Sequence, residues 1–495
     1  MNALPLEIYS AAELRALDRR AIEEFAIPGY ALMCRAGKAA LATLRSCWPA
    51  ANRLVVACGP GNNGGDGYVL ARLARADGLQ VSVAAIGDPE RLSGAAHEAY
   101  RNYIDAGGSV QPWDGAVLQA DVVVDALFGI GLARPVEGTA ANLIDTINRS
   151  GIPVLSIDVP SGLQTDTGQV LGVAVRAERT MTFIGLKLGF YVGDGPDYTG
   201  AVMFDSLDLP EEVYRNSTPS LLRIDDQRLQ AVLPARKRTA HKGQQGFVLV
   251  VGGGIGMAGA ARMAGEAALR SGAGLVTIAT HPANVAAVMA GRPELMCRGV
   301  TDATELQPLI ERADLIAIGP GLGRDEWAKR VFDVAIASEQ RKVVDADGLN
   351  LLAASPRQQS NWVLTPHPGE AGRLLGITNA EVQHDRLHAV RSIAARYGGV
   401  VVLKGAGTLV AKADQIPAVC DRGNPGMASP GMGDVLTGVI SGIAAQVPDL
   451  VTAAQTGVLV HAMAGDMAAR HGERGLLATD LFNYLPACVN PTQRI

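Results

Sequence analysis

The chain has 495 residues, 48% apolar and 19% charged, a balance that suits roughly two to four well-packed domains and excludes a disordered or fibrous protein. A formal net charge of −5 argues against a nucleic-acid partner held through phosphate contacts. No apolar run reaches membrane-spanning length, and the most apolar region near the C-terminus is broken by Pro448 and Asp449.

With 58 glycines and 4% aromatic residues, the composition suits an α/β protein with many tight strand-to-helix turns. Cys34, Cys47, Cys58, Cys297, Cys420 and Cys488 include no Cys-x-x-Cys pair. They are expected to be reduced and mostly buried, as in a cytoplasmic protein. Met1 to Ile8 lacks a basic segment followed by an apolar core, so no signal peptide is expected.

Ser10-Ala11-Ala12-Glu13 has capping-box spacing and predicts a helix through Glu24, with Leu14, Leu17, Ala21 and Phe25 on its core face. Leu54 to Cys58 reads as a buried strand. The run Gly59-Pro60-Gly61-Asn62-Asn63-Gly64-Gly65-Asp66-Gly67 follows, then a helix to Ala76. Gly59, Gly61 and Gly64 match the dinucleotide-binding spacing. The next strand, Val81 to Ile86, ends in Gly87-Asp88-Pro89 without a clear ribose-binding acid, so an ordinary dehydrogenase fits poorly. The two asparagines and Asp66 point to ligand hydroxyls, amides or a monovalent cation. A plain turn with Asn in left-handed positions is the alternative.

Val122 to Val124 ends at Asp125, just before Phe128-Gly129-Ile130-Gly131. Val154 to Ile157 ends at Asp158, followed by Val159-Pro160-Ser161-Gly162. Ligands of open parallel sheets bind beyond the carboxyl ends of the strands, so Asn63, Asp125, Asp158 and Ser161 can converge on one crevice. Any one of these acids could instead be a helix N-cap. Thr180 to Ile184 is a further strand, and Leu186 to Phe190 begins a closing loop.

On these motifs, residues from about 10 to 214 resemble the NAD(P)H-hydrate epimerases. The resemblance implies that Asn62, Asn63, Gly64, Gly65 and Asp66 line the hydrate site. Gly129, Ile130, Gly131, Leu132, Ala133, Arg134, Pro135 and Asp158 would complete it. It further implies a potassium ion on Asn63, Asp125 and Ser161, with Asp158 as the acid/base group. Relatives place Glu where this chain has Cys34.

Asn216-Ser217-Thr218-Pro219-Ser220 ends the first α/β pattern and marks a linker, 216–224. Ala235 to Gly246 is basic and reads as an exposed loop or a phosphate contact. The strand Phe247 to Val251 enters Gly252 to Gly259, a second dinucleotide-like spacing, and a helix follows from Ala260 to Arg270. Leu275 to Ala279 and Leu315 to Ile318 are strands, the second running into Gly319-Pro320-Gly321-Leu322-Gly323. Val343-Val344 leads to Asp345 and Asp347. His367 sits between two prolines, either aimed at a ligand or in an ordinary surface turn.

Val400 to Leu403 leads into Lys404-Gly405-Ala406-Gly407-Thr408, which suits phosphate contact through one charge plus backbone donors. There is no Walker-type string. Asn424 to Gly438 combines glycines, prolines and a single acid, Asp434, ahead of a helix. Free N–H groups at that helix start can hold an anion, and Asp434 can take a proton from a hydroxyl above them. An ordinary turn with an Asp cap is the alternative.

Gly431-Met432-Gly433-Asp434, with Asn424 to Ala428 ahead of it, resembles the ADP/ATP-dependent NAD(P)H-hydrate dehydratases of the ribokinase-like superfamily. The resemblance spans about 225 to 490. It implies contacts from Ala258, Gly321, His367 and Asp434 to the hydrated nucleotide. It implies contacts from Lys404, Gly405, Ala406, Gly407, Thr408 and Gly433 to ADP, with Mg2+ accompanying the nucleotide. Pro430 departs from the small residue of the family and removes one backbone donor.

The expected fold is therefore α/β: a Rossmann-like three-layer α/β/α domain (1–215), then a ribokinase-like α/β domain (225–495). The expected protein is a cytoplasmic bifunctional repair enzyme acting on small molecules, without nucleic acid or membrane, and a homo-oligomer. Asp158 and Asp434 are its expected catalytic residues. A small-molecule kinase with an accessory domain, and a first domain that only binds, stay open as alternatives. A double-Rossmann dehydrogenase would rest on two glycine spacings alone.

Overall fold

The computed structural model describes residues 4–490. Two compact units divide between Leu221 and Leu222. The segment expected as linker holds a short strand, Leu221–Arg223.

In the first unit the strands are β1 (Glu7–Tyr9), β2 (Arg53–Cys58), β3 (Gln80–Ala85), β4 (Val110–Pro112), β5 (Val122–Ala126), β6 (Val154–Ile157), β7 (Arg179–Phe183), β8 (Leu186–Lys187) and β9 (Ala201–Asp205). Seven form one sheet in the order β4-β3-β2-β5-β6-β7-β9, every pairing parallel. A parallel sheet must be covered on both faces, which explains the near-continuous apolar strands. Val122 and Val124 enter one core and Val123 the opposite one. The first core is covered by Gly29–Cys47, Asn62–Ala76 and Gly94–Asp105, the second by Gly138–Arg149. This is the expected three-layer α/β/α arrangement. The chain runs outward from β2 in one direction and from β5 in the other, so a crevice opens between their carboxyl ends.

The capping box at Ser10 forms, and the helix spans Ala11–Glu23. The glycine-rich segment differs from expectation. Its turn is only Gly59 to Gly61, and the helix begins at Asn62. A β-carbon at Gly64 would lie 2.1 Å from the Gly59 carbonyl oxygen, so only glycine permits this immediate start.

The second unit holds β10 (Leu221–Arg223), β11 (Phe247–Val251), β12 (Leu275–Thr280), β13 (Met296–Gly299), β14 (Leu315–Ile318), β15 (Arg341–Val344), β16 (Trp362–Leu364), β17 (Val400–Leu403), β18 (Thr408–Lys412) and β19 (Ala418–Cys420). Their order is β13-β12-β11-β14-β15-β16-β17-β18-β19-β10. Pairing is parallel except where β18 runs antiparallel between β17 and β19. Val248 and Val250 face a core shared with the helices Ala258–Arg270, Met432–Ala444 and Leu450–Ala468. The first two helices touch through small residues: a β-carbon at Gly438 would lie 2.1 Å from the Ala264 carbonyl oxygen.

All six cysteines are free. Cys58, Cys420 and Cys488 are buried, while Cys34, Cys47 and Cys297 are only partly covered, fewer buried than expected. Among the described residues no helix is long and apolar enough to cross a membrane.

Candidate active sites

In the first unit the carboxyl ends of β2, β5, β6 and β7 carry the polar residues. Asp158 follows β6 with φ 65°, a left-handed conformation costly for a residue other than glycine. One of its carboxylate oxygens accepts from Lys187 Nζ. Lys187 also donates to Thr182 Oγ1 at 2.7 Å and to the Phe183 carbonyl at 2.9 Å, so its three protons are engaged. Burial pulls the Lys187 pKa down, against the pull of Asp158. The other oxygen of Asp158 faces Gly129, where a β-carbon would sit 3.6 Å from it and 3.5 Å from Asn63 Cβ. Gly129, Asn63 and Asp158 thus share one wall.

Asp66, in the first turns of the helix that opens at Asn62, has its pKa raised well above the ordinary value. Burial is the main cause, then the negative charges of Asp158 and Asp18. Burial raises Asp18 in the same way. The charge of Asp158 thus acts directly on the buried Asp66 carboxyl. Asp125 is fully buried, and burial raises its pKa despite four donors. It accepts from Ser161 Oγ (2.6 Å), Ser161 N (2.9 Å), Ser156 Oγ (2.8 Å) and Leu127 N (3.3 Å). Ser161 Oγ in turn accepts from Phe128 N at 2.8 Å, tying β5, β6 and the Gly129 loop together. Asn63 is buried, and neither end of its amide has a partner among the described residues. Asn62 is exposed at the helix start. Gly131 and Ala133 to Pro135 form the exposed rim, with Ile130 and Leu132 partly covered.

In the second unit the site lies beyond β15, β16 and β17. Asp345 follows β15 and precedes Ala346 at φ 48°, a second strained position. Asp345 accepts from Lys404 Nζ at 2.7 Å and from Thr437 Oγ1 at 2.7 Å. Glu370 lies 3.8 Å from Lys404. Burial opposes the charge on Lys404, but Asp345 and Glu370 outweigh it and raise its pKa. The lysine expected to meet phosphate is therefore already ion-paired.

Gly431, in the left-handed region at φ 88°, opens the helix Met432–Ala444. The first intrahelical bond runs from Val435 N to Gly431 O at 3.0 Å. The amides of Met432, Gly433 and Asp434 precede it and have no helical partner of their own. Asp434 is the third helical residue and caps nothing, so the cap alternative fails. Burial, and then Asp345, push its pKa up to about 7, against Lys404. A β-carbon at Gly433 would lie 3.1 Å from Lys404 Nζ, so the anion loop passes directly over the Lys404–Asp345 pair.

Gly405 and Ala406 are exposed above this cluster, with Gly407 and Thr408 partly covered. Ala258 opens the helix after the Gly252 loop, and Gly254 N donates to the Gly321 carbonyl at 2.7 Å. A β-carbon at Gly321 would lie 2.8 Å from the Met257 carbonyl oxygen and 3.0 Å from Ala260 Cβ, so Gly321 lies against the start of the helix that Ala258 opens. His367 is half exposed at the start of Pro368–Leu375. Its Nδ1 accepts from Gly369 N at 3.0 Å, and its Nε2 lies 3.4 Å from Glu370. Burial and Lys404 lower its pKa. Among the described residues, no three His, Cys, Asp or Glu side chains are placed to hold a metal ion.

Comparison with known proteins completes the picture. Residues 248–487 match the NAD(P)H-hydrate dehydratase family, and residues 29–189 match the YjeF-related N-terminal family. The bifunctional NAD(P)H-hydrate repair enzyme of Coxiella burnetii is 49% identical, over 98% of this chain and 99% of its own. The chain belongs to the bifunctional NAD(P)H-hydrate repair enzymes. The family's Escherichia coli member is 43% identical, over 99% of this chain and 95% of its own. A ribokinase-like superfamily protein of Enterococcus faecalis superposes with a TM-score of 0.51 at 30% identity, covering 55% of this chain and 96% of that one. The second unit thus has the expected ribokinase-like fold.

Four residues of these sites were not singled out from sequence: Asp18, Lys187, Glu370 and Thr437. Lys187 alone carried a signal, a single charge within the apolar run Phe183 to Phe190. A charge in such a run must find a partner when buried.

Proposed function

We propose that the first unit interconverts the R and S epimers of hydrated NADH and NADPH, and that the second dehydrates the S epimer at the expense of ADP. Hydroxide is a poor leaving group. Transfer of the terminal phosphoryl group of ADP to the hydrate's hydroxyl releases AMP. The C–O bond of the resulting ester then breaks, phosphate leaves, a ring proton is lost and the dihydropyridine returns. Asp434 accepts the hydroxyl proton as the oxygen attacks phosphorus, and the amides at the helix start steady the phosphoryl oxygens. A carboxyl with a pKa of about 7 beside three amides that have no helical partner is the observation that carries this reading. A base poised near the working pH transfers protons most effectively.

In the first unit Asp158 is the acid/base group, Lys187 holds it, and Asp66 is a second carboxyl acted on by its charge. We assign potassium to Asn63, Asp125 and Ser161. The unpartnered Asn63 amide supplies the free oxygen and Asp125 the charge, a donor set that suits a hard cation. When bound, the ion would offset the Asp125 charge and order the Gly129 loop.

A mixture of R and S hydrates incubated with ADP tests the reading by the return of reduced-nicotinamide absorbance. The parent protein is expected to recover both epimers, D434A neither, and D158A the S form only, provided spontaneous epimerisation is slow on the assay timescale. No recovery with ADP or ATP would exclude the repair reaction and favour phosphorylation of some other alcohol.

A further inference from the structure

The cluster beneath the proposed nucleotide loop is short of positive charge. Lys404 is paired with Asp345, and Glu370 and Asp434 also bear on it, so three carboxyl groups face one ammonium. Glu370 and Asp434 are both raised to about 7 and Arg373 also acts on Glu370, so the group offers a diphosphate little net positive charge.

A second cation lies under the same loop. Arg386, the first residue of the helix Arg386–Tyr397, is 4% exposed. Its Nη2 donates to the carbonyls of Leu403 (3.4 Å), Lys404 (3.2 Å) and Gly407 (3.4 Å), and its Nη1 donates to Gln383 Oε1 (2.8 Å). Its Nε has no partner among the described residues. All of these acceptors are neutral. The adjacent carboxylate, Asp385, is turned to cap its helix, accepting from His388 N at 2.9 Å. Burial lowers the Arg386 pKa to about 10, which leaves it charged at neutral pH. A buried charge without a counter-ion costs several kcal/mol, and hydrogen bonds to carbonyls recover only part of that. A neutral donor could have tied the same carbonyls. The loop also lies directly on the guanidinium: a β-carbon at Gly405 would be 3.1 Å from Nη1.

We propose that Arg386 is a positioning residue for the nucleotide, drawing the carbonyls of Leu403, Lys404 and Gly407 inward and supplying from below the counter-charge for a diphosphate bound on the loop. The inference rests on the reading that Lys404 to Thr408 hold ADP, and goes beyond it by naming the cation that serves the phosphates.

Calorimetric titration with ADP, and with adenosine as the uncharged comparison, tests it on the full chain. In R386M the ADP affinity is expected to fall about tenfold or more while that for adenosine stays within about twofold. R386K is expected to restore most of the loss. In turnover the KM for ADP should rise by more than kcat falls. Should R386M not fold, R386Q keeps neutral N–H donors under the loop, drops the charge and carries the same comparison. Unchanged ADP affinity in R386M, or a parallel loss for ADP and adenosine, would overturn the proposal. A406W places bulk on the exposed side of the loop and separates the two readings. If A406W binds ADP like the parent, the ADP site itself is misplaced. If A406W loses ADP and R386M keeps it, only the role of Arg386 fails.

Discussion

Dehydration by the second unit is expected to switch on through neutral pH, because Asp434 must lose its proton to act. A solvated aspartic acid is ionised well below pH 6. Burial and the Asp345 charge lift Asp434 to about 7. The deprotonated fraction is then about 9% at pH 6 and about 91% at pH 8, so kcat/KM should rise about tenfold across that interval. Glu370 titrates in the same range, also raised to about 7 and chiefly by burial. The parent profile therefore belongs to the pair until variants divide it. D434N keeps the shape and removes the base. Its rate should fall about 10²–10⁴-fold, with the rise abolished. E370Q should keep the rise. D345N should shift it to lower pH, because Asp345 is the strongest charge raising Asp434. The assay is the initial rate of reduced-nicotinamide recovery from S hydrate at low substrate. All variants share one buffer series, so the nucleotide's own ionisation cancels. A flat parent profile between pH 6 and 8 would refute the reasoning. So would a rise that survives in D434N and vanishes in E370Q.

Further outcomes follow from the same geometry. K187M leaves Asp158 partly buried without its cation, and urea unfolding should show a loss of about 3 kcal/mol; a change below about 0.5 kcal/mol would mean solvent already screens Asp158. Epimerisation should be faster in potassium than in lithium, and N63A should lose that preference; an N63A variant with undiminished ion dependence would remove Asn63 from the ion site. G438V forces a side chain against the Ala264 carbonyl, and overpacking of about 1–3 kcal/mol should lower the midpoint of thermal unfolding. An unchanged midpoint would show that the two helices can part without cost.

Much of both sites was legible because chemistry here begins where strands end. The apolar runs at Leu54, Val122, Val154, Val343 and Val400 each stop at a polar residue or a glycine, and those stops are the site walls. Local composition dictates such boundaries: β-branched runs bury as strands, and glycine permits the sharp turn that follows. The helix start at Asn62 was less legible, since two asparagines and two glycines in a first turn contradict helix propensity. Packing against Gly59 overrides it. The short strands β4, β13 and β19 were missed for a different reason: three or four residues carry too little pattern of their own.

The sequence by itself determined the class of fold, the order of the strands along the chain, the glycine loops and the acids that face them. Only the tertiary structure decided which charges meet. Lys187 pairs with Asp158 across 29 positions, and Arg386 reaches a loop 17 positions away. Asp434 gains its raised pKa from burial and from Asp345, which follows β15 far away in the sequence. Propensity and burial period are local properties of a chain. Electrostatic pairing depends on distance and on exclusion of water, and both exist only once the sheets and helices have closed around the site.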